Sequence, residues 1–305
     1  MSVAVIFPGQ GTQEPGMAEP WRDHPAWAVI DAAEAALGET LAPLVLTASK
    51  EVLGRTRESQ LAILLTSLVA WEATKPIVGN PVAFAGHSLG QVTALIAAGA
   101  LSLEDGVRFA ARRAELTQEA ADAHPGKMVA LLGATRDQAD DACTAAPDGC
   151  WVANDNAPGQ IVLAGTPEGV DAAGARAKEI GIRRVMPLNV GGAFHTPLMR
   201  DAADGLAADV LPTVDFRAPS APVVSNHDAA AYDDADGWRT RLADHVTVPV
   251  RWRPSQETLA GLGAGTFLEV GHGSMLAALA KRTVPDVTVR GVGSPSDVPT
   301  NSEVA

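Results

Sequence analysis

The five residues Gly86-His87-Ser88-Leu89-Gly90 constrain this chain more than any other feature. They follow an apolar run, Val82-Ala83-Phe84-Ala85, and open a small-residue run, Thr93-Ala94-Leu95-Ile96-Ala97-Ala98. Apolar strand, Gly-x-Ser-x-Gly, helix is the order of a nucleophile elbow. The turn is so tight that only glycine fits on either side of the serine. It exposes the Ser88 hydroxyl at the N-terminus of the following helix, where the Leu89 N–H faces a developing oxyanion. The competing reading of the same residues is an ordinary Gly-rich β–α turn.

The remaining pattern is that of an α/β protein. A first strand over residues 3–7 leads into the loop Pro8-Gly9-Gln10-Gly11-Thr12-Gln13. Helical patterns cover 26–36 and 59–74, the second with Leu61, Leu64, Leu65, Leu68 and Val69 at helix spacing. A long helix over 103–123 stops at His124-Pro125-Gly126. From 127 to 188 the order becomes strand, helix, strand, strand, helix, strand, which is the ferredoxin-like order. The first type of pattern then resumes, with helices near 198–210, 237–246 and 255–262 and strands at 223–224, 266–270 and 287–292. The expected organisation is an α/β-hydrolase-like catalytic domain with a parallel sheet, residues 1–125 and 196–305, into which a ferredoxin-like subdomain, residues 126–195, is inserted. Residues 293–305, rich in Ser, Pro and Asp, read as a mobile tail.

Charge and composition exclude several classes of function. The formal net charge of −13 argues against nucleic acid as a partner, because phosphate binding needs a basic footprint. An acidic protein partner would need a local basic patch, for which Arg183-Arg184, Arg251 with Arg253, and Lys281-Arg282 are the sources. Each taken singly also reads as solvated surface charge. No apolar run reaches the length expected of a membrane span, and the N-terminus lacks a basic leader. Cys143 and Cys150 give no disulfide framework and fit a reducing cytoplasm. The seven histidines show no metal-ligand spacing, so no metal site is expected.

A serine hydroxyl needs a base within hydrogen-bond reach. His87 adjoins Ser88, but neighbours on a tight elbow point apart, so His87 reads as a packing or hydrogen-bonding residue. His195, in Gly191-Gly192-Ala193-Phe194-His195-Thr196-Pro197, stands where an extended segment meets a helix. That junction suits a side chain reaching across a cleft, although a structural histidine fits there too. Arg112 and Arg113 are adjacent and point to different faces. An arginine near the nucleophile would select an acyl group that bears its own carboxylate, which it holds through two parallel hydrogen bonds. A surface ion pair with Glu115 or Glu104 is the other reading.

Taken in order, Phe7-Pro8-Gly9-Gln10-Gly11-Thr12-Gln13, Gly86-His87-Ser88-Leu89-Gly90, Arg113, Asn154-Asp155-Asn156-Ala157-Pro158-Gly159-Gln160 and Ala193-Phe194-His195 resemble the malonyl-CoA:acyl carrier protein transacylase family. That family includes the bacterial fatty-acid enzyme and polyketide synthase acyltransferase domains. The resemblance covers essentially the whole chain up to the tail. It implies that Ser88 is the acylated nucleophile and His195 the general base and acid. Arg113, twenty-five positions after the serine, would pair with the malonyl carboxylate. The backbone N–H groups of Gln10 and Leu89 would form the oxyanion hole. Gln60 and Asn156 match residues bordering the acyl pocket, and Asn154 belongs to the same motif. Phe194, before the histidine, would disfavour a branch on the malonyl α-carbon, a preference of about 1–3 kcal/mol per methyl group. His245 departs from the glutamine usual in the family; its backbone carbonyl would still receive the second N–H of His195. Gly271-His272-Gly273 replaces the more usual Gly-Pro-Gly and reads as a local turn change.

The implied reaction is a ping-pong transfer of malonyl from malonyl-CoA to the phosphopantetheine thiol of an acyl carrier protein in the cytoplasm, with no metal or redox cofactor. Two rivals share the serine chemistry: a hydrolase of carrier-bound thioesters, and a transferase of another acyl unit between carriers. A non-catalytic carrier-binding module is a third.

Overall fold

A computed structural model describes residues 2–300. Five consecutive apolar residues make β1 (Val3–Phe7), and every one of them is buried. An unbroken apolar run of this kind suits a parallel strand covered on both faces. β2 (Ala83–Gly86) lies beside it in parallel register, with Phe7 opposite Gly86. The other strands are β3 (Lys127–Leu132), β4 (Cys150–Ala157), β5 (Gln160–Gly165), β6 (Arg184–Pro187), β7 (Val223–Val224), β8 (Ala231–Tyr232), β9 (Thr266–Val270) and β10 (Thr288–Val292). The larger sheet has the order β10-β9-β1-β2-β7-β8. All its pairings are parallel except β7 with β8. The two central strands therefore deliver their carboxyl ends side by side, where ligands of open α/β sheets bind.

The smaller sheet, β4-β5-β3-β6, is antiparallel throughout and has the ferredoxin-like connection order. Helices Arg136–Cys143 and Pro167–Glu179 cover one face through Val129, Leu131, Leu163 and Ala173. The alternation of the strands sends Met128, Ala130 and Val162 to the other face, which is a wall of the central cavity. The two sheets are tied together at β4. Asp155 N–H donates to Val250 O (2.9 Å) and Val250 N–H to Ala153 O (2.9 Å). Arg253 grips both oxygens of the buried Asp155 carboxylate at 2.8–3.2 Å. Arg253 is thus committed to this internal pair and is no part of a free basic patch.

Three expectations need correction. Helix Thr56–Val78 is longer than the 59–74 pattern and, by length and composition, is apolar enough to cross a membrane. It is instead a core helix, with 72% of its most apolar stretch buried. The 198–210 helix is broken into a 3-10 turn (Pro197–Met199), an α segment (Arg200–Gly205) and a π segment (Leu206–Val210). Residues 293–300 do not form a loose tail. Trp21 Nε1 donates to Gly293 O (3.0 Å), and Ser294 and Asp297 form a capping box over Pro295–Asp297. Val298 packs on the main core. The burial of an indole under this segment is what sequence composition could not register. Residues 301–305 of the expected tail lie outside the described residues.

Candidate active site

Gly86 and Gly90 permit the elbow by letting backbone touch backbone. A Cβ on Gly86 would sit 1.9 Å from Gly90 O, and one on Gly90 would sit 2.3 Å from Phe7 O. Between them Ser88 takes a left-handed conformation, φ 53°. His195 does the same, φ 62°. Left-handed backbone costs a non-glycine residue about 1–3 kcal/mol and gathers at functional sites. Apart from these two, only Ala229 among the described non-glycine residues has a positive φ.

The structure brings Ser88, His195 and Arg113 together from three separate segments. Ser88 Oγ lies 2.8 Å from His195 Nε2. His195 Nδ1 lies 2.9 Å from His245 O. A carbonyl can only accept, so Nδ1 carries the proton and Nε2 presents its lone pair to the serine hydroxyl. Burial, and next the Arg113 charge, push the His195 pKa down to about 3. The imidazole is therefore neutral at ordinary pH.

Arg113 projects inward from helix Leu103–Ala123 and is 5% exposed. Its Nη1 donates to Gln60 Oε1 (2.6 Å) and its Nη2 to Ser88 Oγ (3.3 Å). Among the described residues no carboxylate pairs with it, and burial lowers its pKa to about 10. Arg112 faces outward to Glu115 and Glu119, each at 3.1 Å. The adjacent arginines are thus divided between solvent and site, as their helical phase requires.

His87 turns away from Ser88. Its Nε2 meets Asn156 Oδ1 (2.8 Å), and its ring packs edge-on to Trp252 at 5.5 Å between centroids. Burial keeps it neutral by lowering its pKa. Leu89 N–H, at the mouth of helix Gly90–Ala97, and Gln10 N–H, in the loop after β1, donate to no acceptor among the described residues. Gly271 and Gly273 brace that loop: a Cβ on Gly271 would stand 3.0 Å from Pro8 Cγ, and one on Gly273 would stand 3.4 Å from Thr12. Both glycines of Gly271-His272-Gly273 make this contact. Gln10, Gln60, Ser88, Arg113, Asn154, Asn156, Phe194 and His195 all line one cavity of about 540 Å³. Lys50 lines the same cavity.

The acyl transferase domain family matches residues 4–300. The chain belongs to the acyl transferase domain family. Among curated relatives of this acyl transferase, the malonyl CoA-acyl carrier protein transacylase of Salmonella typhimurium is 38% identical over 298 residues, 96% of each chain. That of Bacillus subtilis is 37% identical over 301 residues, 97% of this chain and 95% of its own. The crystal structure of an acyl carrier protein S-malonyltransferase from Vibrio cholerae superposes with a TM-score of 0.93 at 32% identity, covering 97% of this chain and 98% of that one. A structure of a type II PKS acyl-carrier protein in complex with its malonyl-transacylase gives 0.92 at 34% identity, covering 98% of each chain.

Two features of this acyl transferase escaped the sequence reading. Asn226, two residues beyond β7, accepts the Ser88 N–H through Oδ1 at 2.7 Å. The only sequence signal was a polar pair, Ser225-Asn226, directly after an apolar strand. The His245 side chain is the second. Its ring lies 4.8 Å from that of His195, is 2% exposed, and burial keeps it neutral.

Proposed function

We propose that this acyl transferase moves a malonyl group from malonyl-CoA to the phosphopantetheine thiol of an acyl carrier protein by a ping-pong Ser88/His195 mechanism. The observation that carries this reading is Arg113. A buried cation without a carboxylate is costly unless its ligand supplies one. A malonyl group esterified on Ser88 carries a carboxylate a few bonds from the reacting carbonyl, within reach of the guanidinium.

The chemistry follows from the hydrogen bonds. His195 Nε2 takes the proton as Ser88 Oγ attacks the thioester carbonyl. The tetrahedral oxyanion meets the N–H groups of Leu89 and Gln10, both without an internal acceptor. Imidazolium His195 then protonates the departing CoA thiolate. In the second half, His195 takes the proton of the carrier thiol, the thiolate attacks malonyl-Ser88, and Oγ leaves with the proton restored. The His245 carbonyl fixes the tautomer, a task that a buried aspartate performs in other triads. Gln60 holds the second edge of Arg113, and Phe194 fills the space beside the malonyl α-carbon. Asn156 anchors His87 at the back of the elbow.

Division of the chain into a catalytic domain, 1–125 and 196–305, and an inserted subdomain, 126–195, belongs to the same proposal. The substrate cavity then lies between the two parts. A cytoplasmic setting fits the two free thiols, Cys143 and Cys150. Hydrolysis of carrier-bound acyl chains fits less well, because an uncharged acyl group leaves Arg113 without its counter-charge.

Intact-protein mass spectrometry tests the reading. Malonyl-CoA is expected to add one malonyl group to the wild-type protein, discharged by a phosphopantetheinylated carrier protein. Ser88→Ala is expected to show no adduct; a persistent adduct means another nucleophile acts.

A further inference from the structure

We infer that Asn226 is a positioning residue that clips the nucleophile into its strained conformation; this rests on the reading of Ser88 as nucleophile. At a helix start the first N–H groups lack internal partners. The Ser88 N–H is nevertheless occupied, by Asn226 Oδ1 at 2.7 Å. Asn226 is itself held at both ends of its backbone. Its N–H donates to Gln91 Oε1 (2.5 Å), and its C=O accepts from Arg251 N–H (3.1 Å). Asn226 and Gln91 are both 0% exposed. Ser88 and Gln91 stand three residues apart on the elbow and the first turn of its helix, so the segment after β7 closes a ring on the nucleophile.

Two consequences follow. The Ser88 N–H is spent on this bond, which leaves the oxyanion to Leu89 and Gln10. The bond also fixes the Ser88 backbone at φ 53°, and with it the direction of Oγ toward His195 Nε2. Asn226 does not line the substrate cavity, so its effect is expected in the chemical step and not in substrate affinity.

The test compares Asn226→Leu, nearly isosteric but without an acceptor, Asn226→Ala, and Asn226→Asp, which keeps one. Acylation is followed by quenched-flow mass spectrometry across malonyl-CoA concentrations, and Ser88 reactivity by labelling with a small sulfonyl fluoride. Loss of alignment is expected to slow both reactions on the order of 10²-fold in the leucine and alanine variants. Half-saturation should stay within about twofold of wild type, and the aspartate variant should react faster than the leucine variant. In the wild-type protein the Ser88 amide should exchange slowly with deuterium, a measurement independent of any variant's folding. The inference is overturned by wild-type labelling rates in Asn226→Leu, by a loss appearing wholly in half-saturation, by an aspartate variant no better than leucine, or by rapid exchange of the Ser88 amide. Labelling of the wild-type protein away from Ser88 would instead defeat the nucleophile assignment.

Discussion

Replacing Arg113 by alanine separates charge recognition from catalysis. In the folded protein the guanidinium is 5% exposed and its hydrogen bonds go to neutral oxygens, Gln60 Oε1 and Ser88 Oγ. A malonyl carboxylate would convert it into a buried, charge-assisted pair. Breaking such a pair by removing one partner costs about 3–5 kcal/mol. At 1.36 kcal/mol per decade, malonyl transfer should fall roughly 10²–10⁴-fold in kcat/KM. An acetyl group has no carboxylate to lose, and the wild-type cation is left unpaired beside it. Acetyl transfer should therefore hold or improve in Arg113→Ala, reversing the preference between the two acyl groups. Rates of acyl-enzyme formation from malonyl-CoA and acetyl-CoA, read by intact-protein mass spectrometry, decide the matter. Equal losses with both substrates would refute the carboxylate clamp. The same variant has a second readout. Arg113 is, after burial, the strongest influence holding the His195 pKa down. Its removal should move the acid limb of the acetyl reaction to higher pH.

Phe194→Ser should admit a methyl branch on the malonyl α-carbon, raising the relative kcat/KM for methylmalonyl-CoA by about 10–200-fold; an unchanged ratio would remove Phe194 from selectivity. Gly86→Ala should abolish activity and lower stability, because its Cβ would overlap Gly90 O, 1.9 Å away; a soluble, active variant would contradict the tight elbow. The histidine contribution to stability should fall as pH drops below 6.5. His195 is held neutral when folded, with a pKa of about 3, so the unfolded chain binds the extra proton between those values. That contribution falls by about 1.4 kcal/mol per pH unit. His87 and His245 are shifted in the same direction. Glu269 acts in the opposite sense: burial raises its pKa to about 7, so its contribution is lost as pH rises from 4.5 through 7. Urea midpoints of Glu269→Gln, which lacks that opposing contribution, should therefore fall between pH 7 and pH 5; an unchanged midpoint would refute the buried neutral histidines.

Local constraints made much of the fold legible in sequence. An unbroken apolar strand, two glycines and a small-residue helix determine an elbow wherever they occur, because only glycine tolerates backbone in van der Waals contact. Helical phase was enough to send one of Arg112 and Arg113 inward. The strand–helix–strand–strand–helix–strand order of residues 127–188 determined the small sheet for the same reason: short connections leave few topologies. The sequence could not decide which of two competing fates a polar or apolar segment meets. Helix Thr56–Val78 became core and not membrane span because other elements bury it. Arg253 became an internal partner of Asp155 because β4 docks on the segment around Val250. Residues 293–300 became ordered because Trp21 lies beneath them. The site itself needed the tertiary structure most. Ser88, His195, Arg113 and Asn226 come from segments scattered along the chain, and a hydrogen bond between them depends on ångström distances that no spacing in sequence encodes.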